Sequence, residues 1–269
     1  MVVSSETESE NIKNANWERP MQNSDAYFSE KQIQQVINYW WDERDRKDIA
    51  LFFLVLYRTG RRVSEILGKP PYSIDKRMSM SNYKGLRPID IKENLKAIEF
   101  DILKKNHIKK KTKAGVKKSE DRIKKEYILK APKRVIIPID DEIYNYLTWY
   151  IEDYNIAPYH RLFKFSYRMV RGYLQDAIEA KKIIFDLGTR KMYDYRNQTI
   201  KEVKRRSHLH MFRHSFAIHF LQKNHDNPQA LVMLKRLLEH SKLDITEFYL
   251  QFNTKAVRDI LNDTWVKNG

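Results

Sequence analysis

Four short segments of the chain carry side chains that could handle a phosphate group together. They are Thr59-Gly60-Arg61-Arg62-Val63-Ser64-Glu65, His210-Met211-Phe212-Arg213-His214, Leu237-Leu238-Glu239-His240-Ser241 and, nine residues beyond His240, Tyr249. A guanidinium is permanently charged and presents forked donors that match phosphate oxygens. An imidazole can give or take a proton near neutral pH, and a phenol can form a covalent ester. Each segment alone has a plainer explanation. An arginine after a glycine turn is an ordinary surface charge, and a histidine opening an amphipathic helix is usually a hydrogen-bonded structural residue. Zinc is a competing chemistry, because His208, His210, His214 and His219 fall within twelve residues. His210 and His214 also have the i, i+4 spacing of helical ligands. However, the His-Glu-x-x-His pattern is missing and no carboxylate lies between Ser207 and Gln222, so no metal and no other cofactor is expected.

The order and spacing of the four segments set them apart from their single explanations. Together they resemble the tyrosine recombinase (phage integrase) family, possibly of archaeal or viral type. Catalytic domains of that family carry a Thr-Gly-x-Arg-x-Ser-Glu box, a His-x-x-Arg box, and a Leu-Gly-His box with the nucleophilic tyrosine nine residues on. Arg62 falls on the first arginine with Glu65 on the acidic position, and His210 with Arg213 falls on the second box. His240 falls on the third box and Tyr249 on the nucleophile, while Tyr27-Phe28-Ser29-Glu30 is similar to the usual start of the domain. The resemblance covers residues 27 to 265. Two departures stand out. Glu239 replaces the glycine before His240, and the family's N-terminal DNA-clamping (core-binding) domain has no counterpart in residues 1–26. Either a single-domain member or a piece of a longer recombinase is therefore expected.

The resemblance implies cutting and rejoining of double-stranded DNA through a 3′-phosphotyrosyl link, without metal or ATP. Arg62 and Arg213 would clamp the non-bridging oxygens as negative charge grows on them. His240 would add a hydrogen bond, His210 would act as general base or relay for Tyr249, and Glu65 would orient Arg62. The family also places a lysine in a strand turn, eight residues before the proline that ends the third strand. Counting back from Pro138 gives Lys130, with Lys104 and Lys133 as the alternatives. Its ammonium would protonate the leaving 5′ oxygen. Strand exchange in the family takes place on a tetramer, which is the self-association expected. Two other readings share this chemistry in part: a non-catalytic DNA-binding protein such as a decayed integrase, and type IB topoisomerase-like strand relaxation.

The elements that must position these residues can be read from pattern. Ser29-Glu30-Lys31-Gln32 has capping-box spacing, with Phe28 placed to pack on the new helix and Ile33, Val36, Ile37 and Trp40 as its apolar stripe. Asp48 to Thr59 is hydrophobic nearly all round, which predicts a helix buried in the domain centre. Ile98 to Leu103, Glu126 to Leu129 and Arg134 to Ile139 read as strands, with a tight turn at Ala131-Pro132 between the last two. Helices are predicted for 141–154, for Ser166 to Ala180, for 209–223 and after Asn227-Pro228. Lys181 to Ser207 reads as an irregular basic stretch, and Asp244 and Thr254 as caps of two short final helices. The fold class expected is α+β, mainly helical, with a small three-stranded antiparallel sheet.

Composition narrows the partner. The chain of 269 residues has 51 Lys and Arg against 35 Asp and Glu, a net of +16, which points to a polyanion. Residues 104–134 alone carry a net of +11, leaving about +5 for the other 238. This segment interrupts a β-type pattern, so it reads as a phosphate-binding insertion at 104–125. Its lysines Lys104, Lys105, Lys109, Lys110, Lys111, Lys113, Lys117 and Lys118 are candidate DNA contacts. There is no cysteine, which excludes disulfides, thiolate metal sites and a cysteine nucleophile. The longest apolar run, Ile49 to Tyr57, is nine residues and far too short to span a membrane. A flexible lead-in over residues 1–26, a catalytic domain over 27–269 and a cytoplasmic, DNA-associated location complete the expectation.

Overall fold

A computed structural model of the chain describes residues 27–68, 84–102, 108–110, 127–129, 133–184, 189–194, 199–204, 207–240, 246 and 249. The chain divides into two compact units, one of Met1–Phe53 with Arg171–Gly269 and the other of Leu54–Val170.

The first unit opens with helix α1 (Glu30–Asn38), and its start is the predicted capping box. The Ser29 side chain accepts from the Gln32 amide at 3.2 Å, and the Gln32 side chain accepts from the Ser29 amide at 2.9 Å. Two N–H groups that the helix itself cannot pair are thus satisfied. Ile33, Val36 and Ile37 are buried as the stripe requires, and one π-turn (Tyr39–Glu43) carries Trp40 into the same core. Phe28 is fully buried and packs on Phe212 at 4.9 Å between ring centroids. Burial of a Phe side chain of this kind is worth about 1.5–3 kcal/mol. Helix α2 (Lys47–Thr59) contains the boundary between the units, and Ile49 to Phe53 are completely buried, as its all-round hydrophobicity predicts.

In the second unit, α3 (Val63–Leu67) follows Gly60 and ends at Gly68, which has φ 65°. A Cβ on Gly68 would come within 2.2 Å of the Gly85 backbone nitrogen, so glycine is required by space as well as by φ. A three-stranded antiparallel sheet follows: β1 (Ile91–Lys92), β2 (Ala97–Ile102) and, beyond two further short strands, β5 (Lys133–Pro138). On β2 the residues Ala97, Ile98, Phe100 and Ile102 are buried, while Glu99 and Asp101 take Arg134 of β5 at 3.1 and 3.4 Å. The strands β3 (Ile108–Lys110) and β4 (Tyr127–Leu129) pair only with each other. The expected three-stranded sheet is present, but Ile91–Lys92 fills the place that pattern gave to Glu126–Leu129. Tyr127–Leu129 and Lys133–Pro138 do not form a hairpin with each other. Tyr127–Leu129 pairs with Ile108–Lys110 and Lys133–Pro138 with Ala97–Ile102, in separate sheets. Residues 130–132, where the tight turn was expected, lie outside the described residues. Helix α4 (Asp141–Asp153) is the last helix wholly within this unit, capped by Asp140 accepting from the Ile143 amide at 3.1 Å.

Helix α5 (Tyr167–Ala180) starts at Ser166, whose hydroxyl accepts from the Met169 amide at 3.2 Å. The first unit then resumes. The stretch expected to be irregular contains a hairpin, β6 (Thr189–Asp194) paired with β7 (Thr199–Lys204). Helices α6 (His210–Lys223) and α7 (Ala230–Leu238) follow, with Ala217, Ile218, Leu221, Ala230, Leu234 and Leu238 forming one apolar cluster. The first residues after Asn227 form a turn, and α7 begins two residues later than proline at its first position would have it. Of the helix expected after Asp244 only Thr246 and Tyr249 are described, and the one expected after Thr254 lies outside the described residues.

Candidate active site

Helix α6 supplies three of the polar side chains from a single turn. His210, Arg213 and His214 stand at i, i+3 and i+4 and so share one face. His210 is exposed, Arg213 is 1% exposed, and His214 lies between the two extremes. The rings of His210 and His214 meet edge to face at 4.8 Å between centroids. The helix is pinned from the other side. The Ser215 hydroxyl accepts from the Phe28 amide at 2.8 Å and donates to the Met211 carbonyl at 2.8 Å. Buried Arg213 donates through Nη2 to the Leu238 carbonyl, which joins its guanidinium to the C-terminal end of α7.

Helix α7 delivers His240. Its C-cap, Glu239, has φ 53° and ψ 42°, the left-handed region. A glycine adopts that conformation without the Cβ clash that makes it cost other residues about 1–2 kcal/mol. This explains physically why a glycine suits the position before the histidine, and shows that the glutamate keeps the turn. His240 is half-buried, with Nδ1 3.0 Å from the Thr246 hydroxyl.

Tyr249 is 3% exposed and packs with the apolar cluster of α6 and α7. Its ring lies nearly parallel to that of His240, 6.3 Å between centroids and 14° between planes. Its hydroxyl is 2.8 Å from Nδ1 of His214. Burial, with the charges of His208 and Arg213 adding to it, pushes the His214 pKa down to about 3, so the ring is neutral at neutral pH. His210, the residue expected to serve Tyr249, touches His214 in turn. The hydroxyl's contact with His214 is the feature that sequence spacing missed. His214 is visible in the motif, but only the placement of Tyr249 distinguishes it from a structural residue. Among the described residues no cluster of three or more His, Cys, Asp or Glu could hold a metal ion, and no helix is long and apolar enough to cross a membrane.

The second unit holds Arg62 and Glu65. Arg62 is the N-cap of α3, and its amide donates to Glu65 Oε2 at 3.0 Å. Its Nη1 donates to the other oxygen, Oε1, also at 3.0 Å. Glu65 is 2% exposed whereas the Arg62 side chain remains 30% exposed, so a buried carboxylate fixes a guanidinium that still reaches solvent. The neighbouring Arg61 is completely buried with its guanidinium over the Phe100 ring at 5.8 Å, a packing role distinct from that of Arg62.

No family model matches the sequence, and no curated protein does. Solved structures do match. The XerH site-specific recombinase bound to palindromic difH substrate, a post-cleavage complex, is 15% identical with a TM-score of 0.51, over 89% of this chain and 53% of that one. The Tn1549 transposon integrase in complex with transposon right-end DNA is 14% identical with a TM-score of 0.50, over 90% of this chain and 67% of that one. The chain has the tyrosine recombinase fold. It spans between about half and two thirds of the length of those two solved chains.

Within the tyrosine recombinase fold, the motif residues Arg62, Glu65, His210, Arg213, His240 and Tyr249 are all described. The last four belong to the first unit and the first two to the second. Lys109 and Lys110 lie on β3, opposite Ile128 and Tyr127. Lys104, Lys105, Lys111, Lys113, Lys117, Lys118 and the candidate catalytic Lys130 lie outside the described residues. Lys133 opens β5.

Proposed function

We propose that this protein is a site-specific DNA recombinase or integrase. It cuts and rejoins double-stranded DNA through a 3′-phosphotyrosyl intermediate at Tyr249, without a metal or nucleotide cofactor. The observation that carries the reading is the placement of the Tyr249 hydroxyl 2.8 Å from a neutral imidazole. It lies in the same unit as Arg213 and His240, in the order and spacing of the family's boxes. In this reading Arg62 and Arg213 neutralise the charge that develops on the phosphoryl oxygens, and His240 donates a further hydrogen bond. Glu65 holds Arg62 so that little reorganisation is needed when the phosphate arrives. Lys130 protonates the leaving 5′ oxygen, and His210 relays protons to solvent. Lysines of the 104–125 insertion grip the phosphate backbone.

Two of the similar structures are complexes with DNA, which supports duplex DNA as the substrate class; in this reading the protein assembles as a tetramer on paired sites. In this reading a catalytic domain spans 27–269 after a lead-in of residues 1–26, and the protein acts in the cytoplasm on nucleoid or host-cell DNA, where integration of a viral or mobile genome would take place. The test uses a library of random-sequence nicked duplexes, in which cleavage traps the protein on DNA. Wild-type protein should give a denaturation-resistant adduct and Tyr249→Phe none, with DNA binding retained. An equal adduct in the mutant would overturn the assignment.

A further inference from the structure

We propose that His214, and not His210, is the group that orients the Tyr249 hydroxyl and takes up its proton during attack. The inference rests on the strand-cleavage reading above and deepens it at the same site. With its own proton on Nε2, His214 presents a lone pair at Nδ1, and Tyr249 Oη donates to it across 2.8 Å. The tyrosine ring is also held beside the His240 ring and in the apolar cluster, so the His214 contact sets the direction of the hydroxyl. His210 is exposed and meets the ring of His214 edge to face.

The chemistry of the transfer follows from three acidities. A free phenol loses its proton only near pH ~10. An imidazole held at about 3 cannot deprotonate it in advance. Once the Oη–P bond forms, however, the oxygen becomes far less basic than imidazole, and the proton then moves downhill to Nδ1. Transfer is therefore coupled to bond formation. Oη–P forms, P–O5′ breaks, the phenolic proton goes to His214 and the leaving oxygen takes a proton from the proposed lysine. His208 and Arg213 act on His214 through their charge, the ring of His210 meets it edge to face, and His240 stacks on the tyrosine ring. An arriving phosphate offsets the positive charge of Arg213 and makes His214 a better acceptor at the moment it is needed.

The test has one arm that needs no DNA. Nitrogen-15 NMR of histidine-labelled protein, with His214→Asn used to assign the signal, should show a bare Nδ1 that shifts in Tyr249→Phe. In the second arm, adduct formation on the random-sequence nicked library should fall about 10²-fold in His214→Leu, within the range general-base groups supply. His214→Asn keeps an acceptor near the Nδ1 position and should recover part of that loss. A protonated Nδ1, or a His214→Leu rate within about twofold of wild type while Tyr249→Phe is dead, overturns the role of His214 and leaves the recombinase reading standing. No adduct from wild type would sink strand cleavage and the proton transfer with it, even if the NMR contact is present.

Discussion

Acid should destabilise this protein through His214, by an amount that follows from where the ring sits. Burial first, then the charges of His208 and Arg213, takes its pKa from 6.5 to about 3. In the unfolded chain the ring regains its ordinary value and binds a proton as the pH drops through about 6.5. The folded ring stays neutral until about pH 3. Through that window the unfolded state holds one more proton, so stability falls as pH falls and is fully present only above the unfolded value. The slope is about 1.4 kcal/mol per pH unit, which gives a loss of about 3 kcal/mol two units into the window. At the acid end of the window the loss approaches about 5 kcal/mol, a third or more of a typical domain's stability.

The assay is urea unfolding at a series of pH values between about 7.5 and 4.5, on wild type and on His214→Asn. Asparagine cannot titrate there, so the difference between the two curves should grow with acid by close to one proton. His219 works in the same direction, because burial lowers its pKa against the opposing pull of Glu30. It is present in both proteins and cancels. Parallel curves for the two proteins would refute the reasoning, since they would show that His214 is not held neutral by its surroundings.

Two further outcomes are expected. Glu239→Gly should raise stability by about 1 kcal/mol, because glycine occupies the left-handed region at φ 53° without the Cβ clash; urea midpoints measure it, and a loss of stability would show that the glutamate side chain outweighs its backbone cost. Deleting residues 106–125 should flatten the dependence of log DNA affinity on log salt, because each lost phosphate contact lowers the slope by about 0.9. An unchanged slope would mean that the basic insertion does not touch the backbone.

How much of this was legible beforehand depends on the distance over which each feature is decided. Ser29 with Gln32 is a local contact, and sequence spacing gives it directly. The burial along α4 is also local: Ile143, Leu147 and Tyr150 are buried, while Tyr154, the last residue of the predicted helix 141–154, is 51% exposed because the helix ends at Asp153. Strand partners are not local. Ile91–Lys92 is two residues long and has no periodicity to read, yet it pairs with Ala97–Ile98 and becomes the third strand. The hairpin of β6 and β7 escaped because neither strand alternates apolar and polar residues cleanly, which is what the period-2 signal requires. Of the candidate site, the residue identities came from spacing and the neighbours of Tyr249 did not. The contact of Tyr249 with His214 spans 35 positions and depends on how the chain returns after α7.

The i, i+4 pair on α6 shows why identity and role separate. His210 and His214 have the spacing of zinc ligands, of a stacked pair, and of a relay. What decides among these is how differently one helical turn exposes its residues. Its outer member, His210, reaches solvent. Arg213 is anchored to the end of α7, and His214 is buried enough to stay neutral. A buried neutral imidazole beside a fixed guanidinium makes a poor resting base and a good acceptor once a phosphate dianion-like centre forms nearby. In the proposed reaction, the burial that costs stability in acid also keeps His214 from taking a proton before a phosphate is in place. Helix register is consequently the sensitive variable in this site. Phe28 on Phe212 and the Phe28 amide on Ser215 fix that register from the side opposite the chemistry. A substitution at Phe28, far from any reacting atom, would loosen it.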